Sequence, residues 1–164
     1  MNQVFEFSFP FTLRDRLRAT IVLMPTSRSG IIFNIALPII GAFCILASSM
    51  PPFLREHWLS TVGIALIVLP FCCVIGVVVG YALNPAFREP FRYVIDDDGI
   101  HVFAKSINYT HRWPVISRAT RRAGFLMLFF RPGCAHCLPL STIEASGKLQ
   151  DFLAFLSARE LNVT

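Results

Sequence analysis

Charge is what this sequence lacks most. Only 15% of its 164 residues are Asp, Glu, Lys or Arg, where a soluble globular chain carries about a quarter. The shortage is also local: no charged residue lies between Arg28 and Arg55, and none between Glu56 and Arg88. Stretches of that length without charge exclude ordinary solvated surface and point to lipid. Within residues 31–50 and 59–83 there is no Asp, Glu, Lys, Arg or His, and Asn34 is the lone amide, which disfavours a transporter or proton channel, because those need ionisable groups at mid-membrane. Catalytic signatures are missing as well: there is no G-x-S-x-G, no H-E-x-x-H and no P-loop. A single C-x-x-C with no second one and no H-x-x-x-H leaves a structural zinc site two ligands short. Neither an enzyme nor a cofactor is expected on these grounds.

What is present begins with two apolar runs. Residues 31–50 supply about 20 residues at about 1.5 Å each, the thickness of a hydrocarbon core, and residues 59–83 are somewhat longer and free to tilt. Pro51 and Pro52 end the first run, and Trp58 sits where an interfacial aromatic belongs. Pro38 and Pro70 fall mid-run and should kink the helices. Arg14, Arg16, Arg18 and Arg28 precede the pair, Arg88 and Arg92 follow it, and the connector holds only Arg55. The positive-inside rule then puts both termini in the cytoplasm. Gly76 and Gly80 form a G-x-x-x-G step that would let the second span pack on the first or on a second copy of the chain.

Before the spans, residues 4–9 alternate as a half-exposed strand with Phe5, Phe7 and Phe9 on one side. Thr12 reads as a helix N-cap with Asp15 in the capping-box position. Leu13, Leu17, Ile21 and Met24 share a helical face, so this helix either lies in the headgroup region or packs on a neighbouring domain. After the spans come strands at 91–95 and 100–104 around Asp96-Asp97-Asp98-Gly99, a hairpin turn rather than a calcium loop, since the strand resumes at once. Further strands are expected at 108–113, 115–119, 125–130 and 136–140. A helix capped by Ser146 and striped by Leu149, Phe152, Leu153 and Leu156 closes the chain. The fold expected is a membrane α+β protein in three parts: an N-terminal strand and helix over 1–30, a two-helix hairpin over 31–87, and an antiparallel β domain over 88–164 with a C-terminal helix.

Several of these residues together resemble the YcxB-like family: Thr12 and Asp15, Asp98-Gly99-Ile100, Trp113 and Ile116, the apolar run 125–130, Leu138-Pro139 and the helix over 149–156. The resemblance implies a bacterial inner-membrane protein whose C-terminal domain has a pleckstrin-homology-like fold, and it implies no activity. Where family members commonly place a basic residue or two after the proline, this chain has Leu140-Ser141.

Two groups of residues remain as candidates for chemistry. Cys134-Ala135-His136-Cys137 reads as a turn that either is structural or holds a redox pair at Cys134 and Cys137. The same cysteines with His101, His111 or His136 are the nearest thing to a metal set, and no metal is expected. The second group is basic: Arg112, Arg118, Arg121, Arg122 and Arg131, within a chain of net charge +5. Beneath an anionic leaflet each such charge is worth about 1 kcal/mol of attraction. The expected partners are the bilayer, acidic lipid headgroups, or an acidic protein such as the toxin met by an immunity-type protein. No recognition motif supports nucleic acid. The function expected is a non-enzymatic binding module at the inner membrane, the alternative a membrane-tethered thiol oxidoreductase.

Overall fold

The computed structural model describes residues 3–49, 57–161 and 163. The connector prolines Pro51 and Pro52 and Arg55 lie outside the described residues. Strand β1 (Phe5–Pro10) buries Phe5, Phe7 and Phe9 and exposes the residues between, as its alternation requires. It pairs antiparallel with β2 (Pro90–Ile95), Phe5 opposite Ile95 and Pro10 opposite Pro90. The first strand is therefore part of the sheet formed by residues beyond 88, not a separate N-terminal unit. β3 (Gly99–Phe103) and β4 (Asn108–Arg112) complete a four-stranded sheet, and β5 (Arg118–Arg122), β6 (Phe125–Arg131) and β7 (Cys134–Pro139) form a second, three-stranded one.

Helix α1 (Leu13–Leu23) starts on the anticipated capping box: Thr12 Oγ1 accepts from the Asp15 amide, and Asp15 accepts from the Thr12 amide, each at 3.2 Å. Its packing face differs from the expected one. Ala19 is buried with Val22 and Leu23 against Phe125, Met127 and Phe129 of β6, while Ile21 is 57% exposed. This explains why β6 is apolar without alternation. Leu126 and Leu128 point into the main core, and α1 covers the opposite face.

Between β1 and β2 the chain makes a helical excursion. After a 3-10 turn at Met24–Thr26, α2 (Arg28–Ile31) passes through a π-helical stretch, Ile32–Ala36, into α3 (Leu37–Ser48). Pro38 lacks an amide hydrogen, and its ring would strike the carbonyl four residues back, that of Asn34. The helix widens there instead, and Asn34 Nδ2 donates to the Gly30 carbonyl at 2.8 Å. Ser29–Ser48 is long and apolar enough to cross a membrane and is almost entirely unburied within the chain. α4 (His57–Leu83) contains Pro70 and bends by 46° between Cys72 and Val74; its two halves are long and apolar enough only when taken together. α3 and α4 cross at Gly41 and Gly63, where a Cβ on either would lie 2.5–2.6 Å from the other's carbonyl oxygen. The close approach therefore falls there and not at the G-x-x-x-G step. Among the described residues a Cβ on Gly76 would meet nothing within 4 Å, and one on Gly80 would meet the Phe87 ring first, at an ordinary van der Waals distance of 3.5 Å.

Two further departures have local causes. Trp113-Pro114-Val115 forms a 3-10 turn, since Pro114 cannot serve a strand ladder, and β5 begins only at Arg118. Ser146 ends an unanticipated helix α5 (Leu140–Ala145), its hydroxyl donating to the Ile143 carbonyl, and α6 (Leu149–Ser157) starts after Lys148. α6 closes the core: Phe152 is fully buried, its ring 5.1 Å from Phe5 and 5.4 Å from Phe7. Phe155 packs on Phe5 and Trp113. Arg159 fastens the helix end, stacking 3.6 Å over Phe155 and pairing with Asp97 in the β2–β3 turn.

Candidate functional site

The five arginines grouped in the sequence do not form one patch. Arg118 opens β5 opposite Phe129, and Arg131 closes β6 opposite Cys134. Both line a groove of about 400 Å³ shared with Thr26, Ser117 and Phe130. Thr26 lies just ahead of the apolar helix that begins at Ser29. The β6–β7 turn is held against the same segment: a Cβ on Gly133 would lie 3.3 Å from Ser27, and Gly133 has φ +78°, so both space and backbone call for glycine. Arg121 and Arg122 lie at the other end of β5, and Arg112 ends β4. From Arg118 to Arg122 the strand runs about 13 Å, beyond a Debye length of about 8 Å.

Arg118 stacks on its cross-strand neighbour, the guanidinium carbon 4.2 Å from the Phe129 ring centroid. Stacking fixes the plane of the group and leaves its in-plane donors available. Neither Arg118 nor Arg131 has a carboxylate partner or side-chain hydrogen bond among the described residues, where the arginine–carboxylate pairs are Arg92–Glu6 and Arg159–Asp97. Among the described residues the groove is thus a cationic site without a counter-charge, beside the foot of an apolar helix.

The C-A-H-C segment is not a turn. Cys134 opens β7 and is exposed, whereas Cys137 is buried opposite Met127. Three residues along a strand span about 10 Å, farther than a disulfide's usual Cα separation of about 4.4–6.8 Å. Burial also pushes the Cys137 thiol up to about 12, the opposite of an activated nucleophile. The redox pair is therefore not assembled. Among the described residues no group of three or more His, Cys, Asp or Glu is placed to hold a metal. Asp96 instead organises the β2–β3 turn: its Oδ1 accepts from the amides of Asp98 and Gly99.

Sequence reasoning missed two buried arrangements. His136, 2% exposed, meets His111 of β4 across the gap between the sheets, Nε2 to Nδ1 at 2.7 Å, among Tyr93, Tyr109 and Phe130. Burial, and then the charge of His111, lowers His136 to about 4. Arg16, one of several arginines ahead of the spans, lies instead among the rings of Phe11, Phe87 and Phe91. The one available signal was position: on the helix it falls three residues before the buried Ala19.

The architecture is that of a two-sheet antiparallel β domain closed by a C-terminal helix, with apolar helices inserted between its first two strands. Residues 95–156, from the end of β2 through most of α6, match the family model described as YcxB-like protein, the family its motifs resemble. The matched part holds β3 to β7 and both arginines of the groove, and leaves β1, α1 and the apolar helices outside it. No curated protein and no solved structure matches the chain.

Proposed function

We propose that this chain is a membrane-anchored, non-enzymatic binding module whose β domain holds anionic lipid headgroups in the groove of Arg118 and Arg131. The observation that carries this reading is the position, beside the foot of the helix Ser29–Ser48, of two arginines with no carboxylate partner among the described residues. In this reading α3 and α4 form a two-span hairpin at the bacterial inner membrane. The β1–β2 pairing supports two crossings over one: Pro10 and Pro90 are partners, so the chain must return to the side it left. Four strands, three strands and a terminal helix are also the parts a pleckstrin-homology-like domain needs. The arginines around Arg88 and Arg92 favour the cytoplasmic side for that domain, where the anionic leaflet is.

Native mass spectrometry of the full chain, extracted in detergent with mixed neutral and anionic phospholipid, tests the groove. Two charges at about 1 kcal/mol each correspond to a loss of roughly 30-fold in anionic-lipid affinity for Arg118→Gln/Arg131→Gln. The Arg121→Gln/Arg122→Gln chain should retain lipid like the unmodified one. Equal loss in both pairs would reduce the groove to bulk charge and sink the proposal. Arg112, Arg121 and Arg122 are exposed and lack carboxylate partners among the described residues. An acidic protein partner, an immunity-type target included, would be met there.

A further inference from the structure

The outer edge of β5 is a second surface, separate from the lipid groove. The three-stranded sheet runs in the order β5-β6-β7, so β5 is laddered on one side only, to β6. Its other edge meets the tail of the chain. After α6 the Leu161 amide donates back to the Leu156 carbonyl at 3.1 Å and the Leu161 side chain enters the main core. Val163 then forms an isolated parallel bridge with Ala119. Ala119 is buried in the main core and Val163 packs against that same core, so the bridged pair shares a face, as the pleat requires. The edge therefore already holds a backbone partner running in the direction of β5 and a seat for one aliphatic side chain.

Beyond that bridge the edge is bare among the described residues. No backbone hydrogen bond outside the ladder with β6 reaches residues 120–122, and Arg121 and Arg122 are exposed with no carboxylate partner. An unpaired strand edge is a template for a further strand. An added strand draws affinity from main-chain hydrogen bonds and specificity from alternate side chains. The register at Ala119 fixes which side chains matter. With an aliphatic residue in the Val163 seat, a strand parallel to β5 brings its residues two and three places further on opposite Arg121 and Arg122. Those two arginines point to opposite faces of the strand, so a carboxylate at each position would meet one of them. We propose that the β5 edge docks an extended acidic segment of a partner protein, parallel to β5. An aliphatic side chain of that segment takes the seat of Val163, and acidic residues follow it two and three positions later. The chain's own tail holds the seat until the partner displaces it.

Fluorescence polarisation of the full chain in detergent tests this with a short labelled peptide. Its sequence places glutamates two and three residues after a valine, among serines and threonines. The peptide should bind the unmodified chain saturably, and the reversed sequence should bind clearly more weakly. Arg121→Gln/Arg122→Gln should weaken it roughly tenfold, the effect of two exposed ion pairs, while Arg131→Gln should change little. Val163→Ser loosens the tail and leaves the seat open, so it should tighten binding. Amide hydrogen exchange over β5 should slow when the peptide is saturating. Absence of binding to both the unmodified chain and Val163→Ser overturns the proposal. So does equal binding of the reversed sequence, indifference to Arg121→Gln/Arg122→Gln or to Val163→Ser, or binding that adds no protection over β5. Lipid retention in the groove of Arg118 and Arg131 is a separate readout, so either proposal can fail without the other.

Discussion

At the scale of single residues, the His111–His136 contact makes the stability of the β domain depend on pH in a defined direction. The 2.7 Å separation requires one ring to donate and the other to accept. Burial, then His111, lowers His136 from an ordinary 6.5 to about 4. In the unfolded chain His136 takes up a proton as pH falls through about 6.5, while the folded chain resists until about 4. Its neutral burial therefore costs nothing above pH 6.5, and stability is lost progressively between pH 6.5 and 4. The full difference is about 3 kcal/mol. Unfolding midpoints at pH 7.5 and 4.5 should drop further for the unmodified chain than for His136→Phe, which fills the same apolar space with nothing to titrate. Parallel drops would mean that other groups carry the acid sensitivity.

At the scale of elements, legibility followed the kind of signal each element sends. β1 declared itself by alternating phenylalanines, and α1 by Thr12 and Asp15, because strand pleat and N-cap are local physics. β6 was readable as a strand, yet the reason for its unbroken apolar run lay in α1, far away in sequence. The groove was half legible. Arg118 and Arg131 stood out as charges, but strand direction decides which arginines share an end, and charge alone does not encode it. Arg16 and His136 were hidden for a different reason: their meaning comes from rings supplied by other elements. The Gly76–Gly80 motif attracted notice through spacing, while Gly41 and Gly63, on separate helices, form no motif. That crossing yields a direct prediction. Gly63→Leu would drive a side chain into the Gly41 carbonyl and Ile45, and overpacking of this kind costs about 1–3 kcal/mol. Gly76→Leu meets open space. In detergent titrations Gly63→Leu should lose helix-pair stability and Gly76→Leu should not. The reverse order would move the packing seam to Gly76, or to a contact between copies.

At the scale of the whole molecule, topology constrains the membrane more strongly than hydropathy does. Hydropathy alone passes Ser29–Ser48 outright and α4 only as a bent pair, which leaves one crossing or two open. Strand pairing removes the odd number. β1 precedes the helices, β2 follows them, and the two are joined along their length from Phe5–Ile95 to Pro10–Pro90. One crossing would place those strands on opposite faces of the bilayer and leave six residues on each without their ladder. The excursion must therefore cross twice or not at all. Its exposed side chains favour crossing: Phe43 and Phe71 are 70% and 61% exposed, at a cost to water of about 1.5–3 kcal/mol each if left unburied. In a chain freed of its native cysteines, Glu56→Cys should react with an impermeant maleimide on intact cells, and Lys148→Cys only after the membrane is opened. Silence at both positions on intact cells, with both reacting once the membrane is opened, would mean that the hairpin dips into the bilayer from one side and returns. The groove of Arg118 and Arg131 would still lie beside the membrane surface, but α3 and α4 would anchor the domain without spanning.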